Sequence, residues 1–287
     1  MKKLFLFFFL FSVTIKAQEL KAYQFYNKQA EPVDFGQMIG QLKNYHVILF
    51  GEYHNNAMVH WLQLKTTEAL YAEKDKKLIL GAEMFERDNQ SAIDLYLKDS
   101  IDAEQLHEQV RLWSNFDTDY KPLLDFAKTH QLKFIATNIP RRYAAIVAQS
   151  GQDSLNAYPK EERKFMAKLP VEVDMETPGY IEILDMMKDH EMNEPEGYVV
   201  AQALKDATMA ESIYKNSNRR HLFLHFNGDY HSKAYGGIYW YLKNKKKRWK
   251  IAVISVGESD EKNLPLPEDM KLTEFNLIIP KDMSKTY

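Results

Sequence analysis

Two short stretches of this sequence place an acid, a tyrosine and a histidine directly after an apolar run. Residues 51–54 read Gly-Glu-Tyr-His, and residues 228–231 read Gly-Asp-Tyr-His. A carboxylate beside an imidazole can act as a general acid–base pair, and the same groups can bind a divalent metal ion. These stretches are therefore the first candidates for a functional site.

The apolar runs that precede both stretches predict strands. The run at 47–50 breaks at Gly51, and a helical pattern begins at about Ala57, which indicates a strand, a tight turn and a helix. This alternation recurs and predicts an α/β fold, a mainly parallel sheet with helices on both faces. The predicted strands are 46–52, 77–84, 132–137, 221–227, 249–256 and 275–279.

Parallel strands would bring several polar side chains to one edge of the sheet. Each follows the carboxyl end of a predicted strand, where ligands of open α/β sheets bind. These side chains belong to Glu52, His54, Glu83, Asn138 and His231. Each of these polar residues, taken alone, would also be expected at a strand end that meets solvent. The repeated combination of an acid and an imidazole at the same position after a strand favours a functional site.

We call these five side chains at the edge of the sheet the rim. The rim supports two kinds of chemistry. In a hydrolase, Glu52, His54, Glu83 and His231 would be catalytic, with one of the carboxylates orienting His54. In a metal site, His54, His231 and Glu52 would bind a divalent ion. The Gly-x-Ser-x-Gly, His-Glu-x-x-His, dinucleotide and phosphate-loop motifs do not occur in the sequence.

The domain organisation follows from a long segment in which no strand is predicted. We predict a helical insertion, or cap subdomain, at 140–217, set into a sheet domain formed by 18–139 and 218–287. The insertion contains several tyrosines and methionines, which suits a flat, apolar ligand. Core packing of a helical cap is the alternative explanation of the same residues.

Composition excludes several function classes. The formal net charge of the 287 residues is -2, which argues against nucleic acid as the main partner. The chain has no cysteine, which excludes disulfides, thiolate metal sites, a cysteine nucleophile and an N-terminal cysteine for lipid anchoring.

The first residues predict secretion. Residues 1–17 have the pattern of a signal peptide, with Lys2 and Lys3, an apolar stretch from 4 to 13, and Ala17 at the cleavage position. The apolar stretch is shorter than the roughly twenty residues needed to span a bilayer. We therefore expect a secreted chain, located in the periplasm, with neither a transmembrane nor a lipid anchor.

Five ordered motifs between about 45 and 245 resemble the ChaN family of bacterial haem-binding uptake proteins, which is related to the Tiki and erythromycin esterase proteins. They are Gly51-Glu-Tyr-His-Asn-Asn-x-x-x-His60, Gly81-x-Glu-Met-Phe-Glu-Arg87, Trp113 with Asp119-Tyr-x-Pro-Leu-Leu, Ala136-x-Asn-x-Pro-Arg141 and Asp206-x-x-Met-Ala210. The sequence departs from the family in lacking the lipoprotein cysteine. It also has Asn227-Gly-Asp-Tyr-His231 where the family has a smaller Gly-x-Gly-His.

The resemblance implies haem held between two subunits, with iron ligated by tyrosine. It implies a function in haem-iron uptake, with haem, a second copy of the chain in a homodimer and haem transport components as partners. By position we predict Tyr180 and Tyr198 as haem-binding residues, together with His54 and His60. The alternatives are a hydrolase that uses the rim, with or without a divalent metal, and an interaction module.

Overall fold

The computed structural model describes residues 20–73, 77–189, 195–218 and 220–287; the predicted signal peptide at 1–17 lies outside them. The strands are β1 (Gln24–Asn27), β2 (Pro32–Val33), β3 (Val47–Glu52), β4 (Leu78–Glu86), β5 (Lys133–Asn138), β6 (Leu222–Gly228), β7 (Ile251–Ser259) and β8 (Phe275–Pro280). The α-helices are α1 (Phe35–Leu42), α2 (Ala57–Glu73), α3 (Gln90–Leu97), α4 (Ala103–Gln109), α5 (Lys121–Thr129), α6 (Arg141–Ser150), α7 (Lys160–Arg163), α8 (Pro178–Asp189), α9 (Pro195–Asn216) and α10 (Gly237–Lys245).

All eight strands belong to one sheet, in the order β2-β1-β8-β7-β3-β6-β4-β5. Strands β3 to β8 pair in parallel, whereas β1 and β2 are antiparallel at one edge. The predicted α/β fold with a mainly parallel sheet is confirmed. Strands β1 and β2 were not predicted, because they are very short and 18–45 contains no sustained apolar run.

Helices cover both faces of the sheet because its central strands are apolar on both sides. Every residue of β3 is buried, as expected of a strand inside a parallel sheet. Ile48 and Phe50 pack with residues of α1, α2 and α5 on one face. Val47 and Leu49 pack with residues of α9 and α10 on the other.

Helix α9 links the predicted insertion to the sheet. Its residues Met209 and Ile213 are in the core beneath the sheet, while Leu204 packs with residues of α6. Arg87 at the end of β4 also binds this helix, donating to the hydroxyl of Ser212 at 2.8 Å and to the backbone oxygen of Thr208 at 2.6 Å. The side chains of α9 that face the rim are therefore held on a fixed support.

The helix predicted at 232–243 begins later, at Gly237. Two 3₁₀ turns precede it, at Asp229–His231 and Lys233–Tyr235, and Ala234 and Tyr235 have left-handed φ values of 51° and 64°. A left-handed backbone cannot continue an α-helix, so the helix starts after it. No helix of the described residues is long and apolar enough to cross a membrane.

Candidate functional site at the carboxyl edge of the sheet

The carboxyl ends of neighbouring strands form the rim that the sequence predicts. Strand β3 is in register with β6, from Val47 opposite Phe223 to Glu52 opposite Gly228. Strand β4 lies on the other side of β6, and β5 follows it. A cavity of about 290 Å³ opens at this edge. Its lining includes His54, Glu83, Trp113, Asn138, Arg141, Ile183, Met186, Gln202, Lys205, Tyr230 and His231.

Glu52 is buried at the end of β3, and its carboxylate accepts three hydrogen bonds. Oε1 accepts from the hydroxyl of Tyr120 and from Nδ1 of His54, each at 2.8 Å. Oε2 accepts from Nε2 of Gln63 at 2.8 Å and lies 3.8 Å from Nδ1 of His60. Burial by itself raises the pKa of Glu52, but the two imidazoles and these hydrogen bonds lower it below its usual range. Glu52 is therefore ionised and orients His54.

The ring of His54 lies partly exposed in the cavity. It packs edge-on against Trp113, with ring centroids 4.7 Å apart. A Cβ atom on Gly228 would lie only 2.8 Å from His54 Nε2, so glycine is needed at this position. Burial lowers the pKa of His54, but the hydrogen bond to Glu52 and the charge of Glu83 raise it above its ordinary value.

His231 lies between two buried carboxylates. Its Nε2 donates to Oε1 of Glu83 at 2.9 Å, and its Nδ1 donates to Oδ1 of Asp206. The other oxygen of Glu83 accepts from the backbone N–H of Gly228 at 2.8 Å. Burial opposes the charge on His231, yet the two carboxylates raise its pKa to about 10. Burial alone would raise the pKa of Glu83, but the charge of His231 lowers it below its usual range. His231 is therefore an imidazolium at neutral pH.

The two Gly-acid-Tyr-His stretches do not form equivalent pairs. In the first, Glu52 binds the histidine of its own stretch. In the second, Asp229 points away from His231 and accepts from the backbone N–H of Val256 at 3.1 Å. Burial raises the pKa of Asp229 to about 7. The sequence echo therefore reflects two strand ends with different local geometry.

The outer part of the cavity has apolar walls and two cationic side chains. Ile183 and Met186 of α8 lie in its lining, as do Arg141 at the start of α6 and Lys205 of α9. Tyr230 also lines the cavity. It is 43% exposed, and within the described part of the chain its hydroxyl has no hydrogen-bond partner. This combination suits a ligand that is apolar over most of its surface and carries negative charge at one edge.

The four predicted haem-binding residues lie in different places. Of these four, only His54 lines the cavity. Tyr198 is 37% exposed on α9 but lies outside that lining. His60 is buried, with Nε2 3.0 Å from the backbone oxygen of His54. Tyr180 is also buried, and its hydroxyl donates to Oδ2 of Asp206 at 2.6 Å.

The four residues predicted for a hydrolase do come together, but those predicted for a metal already have other partners. His54 binds Glu52, and His231 binds Glu83. Because both ring nitrogens of His231 donate to carboxylates, neither offers a lone pair to a metal. Among the described residues, no group of three or more histidine, aspartate or glutamate side chains is arranged to hold a metal ion.

Several residues of the site could not be identified as such from the sequence. Asp206 and Tyr120 come from helices, so their approach to the rim depends on tertiary packing. The available signal for Asp206 was an acid on an otherwise apolar helix face, beside Ala203 and Ala207. Arg141 was noted only as the last residue of a family motif, and Lys205 carried no signal beyond its charge.

The sequence model of one protein family, described as haem-binding uptake, Tiki superfamily, ChaN, matches residues 38–242. Among solved structures, ChaN of Campylobacter jejuni with cofacially bound haem superposes with a TM-score of 0.66. It is 20% identical in sequence, and the match covers 90% of this chain and 96% of that one. At this identity the likeness shows a shared fold. No curated protein matches the chain in sequence.

Two further solved structures are more distant. Erythromycin esterase EreC matches with a TM-score of 0.48 and 11% identity, covering 91% of this chain and 83% of its own. The type III effector HopBA1 matches with a TM-score of 0.47 and 13% identity, covering 85% and 91%. Neither likeness carries a functional argument. Since the family model matches well over half of the chain, the protein belongs to the ChaN family of haem-binding uptake proteins in the Tiki superfamily.

Proposed function

We propose that this protein binds haem at the cavity on the carboxyl edge of the sheet and serves haem-iron uptake. The observation that carries the proposal is the composition of that cavity in a chain of the haem-binding uptake family. A porphyrin is flat and apolar, and its two propionates give it negative charge at one edge. The cavity offers apolar walls to the porphyrin and cationic side chains to the propionates.

The residues present fit this ligand. Trp113, Ile183 and Met186 would contact the porphyrin face, and Arg141 and Lys205 would bind the propionates. When bound, haem would supply an iron that takes a ligand from a protein side chain.

We propose that Tyr230 would ligate the haem iron. Its phenol is exposed in the cavity and, within the described residues, has no hydrogen-bond partner to give up. The Lys233 ammonium lies 4.8 Å from the centre of its ring. Tyr180 would first have to lose its bond to Asp206, and Tyr198 does not line the cavity.

The small size of the cavity also supports the binding of haem between two copies of the chain. Its volume of about 290 Å³ lies at the small end of the range for ligand sites, so much of a porphyrin would project beyond it. Met186 and Tyr230 line the cavity and are exposed, and Ile181 on α8 and Tyr198 on α9 are exposed as well. A second copy would cover both these side chains and the projecting ligand, forming a homodimer.

Haemin titration of two matched variants tests the proposal. Met186 is 48% exposed in the cavity wall, and Leu95 is 40% exposed on α3, outside that wall. Met186→Glu introduces a charge against the porphyrin face, so haem affinity should fall at least about tenfold, which corresponds to 1.4 kcal/mol. Leu95→Glu should bind haemin as the wild type does. Equal affinity in both variants, or no saturable absorbance change with the wild type, would reject the site.

The location that fits this function is outside the cytoplasm. We propose a secreted protein of the periplasm, based on the signal-peptide pattern at 1–17. Haem transport components of the cell envelope would then be the partners that receive or deliver the ligand. Fractionation of cells that express the tagged full chain tests this: the protein should be released with the periplasm, and retention in the cytoplasm would contradict it.

A hydrolase is a second candidate, favoured by the geometry of His54. Glu52 fixes the ring through Nδ1, and Nε2 faces the cavity with no hydrogen-bond partner in the described chain. Such an imidazole can act as a general base when it is neutral. If esters are substrates, His54→Gln should lower kcat/KM by about two to four orders of magnitude. No turnover by the wild type on an ester panel would exclude this candidate.

A further inference from the structure

A dense group of basic side chains lies at the opposite edge of the sheet from the cavity. Residues 243–250 read Lys-Asn-Lys-Lys-Lys-Arg-Trp-Lys, with six basic residues and no acid. They run from the last turn of α10 to the start of β7, so they lie at the amino ends of the parallel strands. Arg220, just before β6, is exposed at the same edge. We call residues 243–250 together with Arg220 the basic edge.

Aromatic rings give the basic edge a fixed shape. Trp249 stacks on His46, with an interplanar angle of 9° and ring centroids 6.4 Å apart, and it also contacts Tyr214 at 6.2 Å. The ammonium groups of Lys245 and Lys246 lie 4.7 Å and 5.2 Å from the centre of the Tyr214 ring. The charges are thus displayed around an amphipathic aromatic centre.

These charges are not neutralised within the protein. Among the described residues, none of the six basic residues of 243–250 forms an ion pair with a carboxylate. Glu274 is close, but it binds the hydroxyl of Tyr235 and the backbone N–H of Val253. Lysines in the last turn of α10 are favourable for the helix dipole, but this effect fades beyond the last turn and does not explain Lys247 and Arg248.

We propose that the basic edge binds the anionic surface of a phospholipid membrane, so that the haem cavity faces away from the bilayer. Clusters of four to eight lysines and arginines bind anionic headgroups, and tryptophan and tyrosine rings suit the interface. A nucleic-acid-binding domain is usually strongly basic throughout, whereas this chain has a pI of about 6.5 and a net charge of -2. A local charge cluster on an acidic protein fits a flat anionic surface better than a long polyanion.

Vesicle flotation with charge-reversed variants tests this proposal. The full chain is mixed with vesicles of phosphatidylcholine alone, or of phosphatidylcholine with phosphatidylglycerol. The test variant is Lys245→Glu/Lys247→Glu/Arg248→Glu, at three exposed positions of the basic edge. The control is Lys262→Glu/Lys271→Glu/Lys281→Glu, which changes the net charge equally at three exposed positions near the carboxyl edge.

The wild type and the control should float with the anionic vesicles more than with the neutral ones, and added salt should release them. The test variant should lose about a hundredfold in partitioning, since each basic residue contributes about fivefold. Thermal melting and haemin binding should be unchanged in the test variant. Equal binding of the wild type to both vesicles, equal loss in both variants, or a preference for RNA over anionic vesicles would overturn the proposal.

Discussion

Nε2 of His231 lies 2.9 Å from Oε1 of Glu83, and both side chains are buried beneath the cavity. On its other side His231 donates to Asp206, so one imidazolium is shared by two carboxylates from β4 and α9. A buried cation of this kind is stable only while both partners remain. This contact joins the sheet to the helices that cover it.

Removing the imidazolium should destabilise the fold. His231→Gln removes the cation that Glu83 and Asp206 share in the interior, and we expect a loss of about 3–5 kcal/mol in the free energy of unfolding. Denaturant unfolding measures it. Adding Asp206→Asn should restore part of the loss, because one of the two charges is removed. His107→Gln, at a surface pair with Asp117, should change stability by less than about 0.5 kcal/mol. Equal effects at both histidines would contradict the shared-cation interpretation.

The same group should give stability a distinct dependence on pH. The pKa of His231 is raised from 6.5 to about 10, so its contribution is complete below pH 6.5 and is lost as pH rises towards 10. At acidic pH the lowered pKa values of Glu52 and Glu83 matter instead. The contribution of these two carboxylates to the free energy of unfolding is complete above pH 4.5 and is lost in acid. Unfolding experiments across pH should show an alkaline decline that is weaker in His231→Gln. An identical decline in both proteins would refute the assignment.

Glu52 should control the protonation of His54. Replacing it by glutamine in Glu52→Gln keeps the shape but removes the charge, so the pKa of His54 should fall below its wild-type value. NMR titration of the His54 ring measures this. Glu86→Gln, at another position in the cavity lining, serves as the matched control and should leave the pKa of His54 closer to its wild-type value. A His54 pKa that does not respond to Glu52→Gln would show that the pair is not electrostatically coupled.

The anchoring of α9 by Arg87 can be tested with two residues that bind the same acid. Arg87 is 11% exposed and contacts Glu211 at 3.2 Å, while Lys215 is 61% exposed and contacts it at 2.8 Å. Arg87→Ala also removes the bonds to α9 and should cost about 3 kcal/mol. Lys215→Ala should cost less than about 1 kcal/mol. Thermal unfolding compares them, and similar losses would argue against Arg87 as the anchor.

Much of the sheet could be predicted because its strands are long apolar runs. The buried segments of β3 and β6 stand out for this reason, and so do the polar residues that end them, including Glu52 and His54. Strand β1 could not be predicted, because its four residues gain their structure by pairing with β2 and β8.

The helical part of the site depends on packing that no local pattern reveals. The prediction of Tyr180 as a haem ligand rested on its position in the insertion, but α8 packs so that the phenol binds Asp206. Tyr230 directly follows the second strand-end motif, yet its exposure depends on the 3₁₀ turn at Asp229–His231. The polar side chains at the strand ends could thus be predicted from the sequence, and the contacts made by the helical residues of the site could not.

The visible spectrum of the ferric haem complex tests haem binding at the cavity, because it reports the iron ligand itself. Haemin is added to the wild type, to Tyr230→Phe and to the matched variant Tyr198→Phe. We expect the wild type and Tyr198→Phe to share a high-spin, tyrosinate-ligated spectrum, which Tyr230→Phe should lose. An unchanged spectrum in Tyr230→Phe, with loss in Tyr198→Phe, would contradict the placement of haem in the cavity at the carboxyl edge.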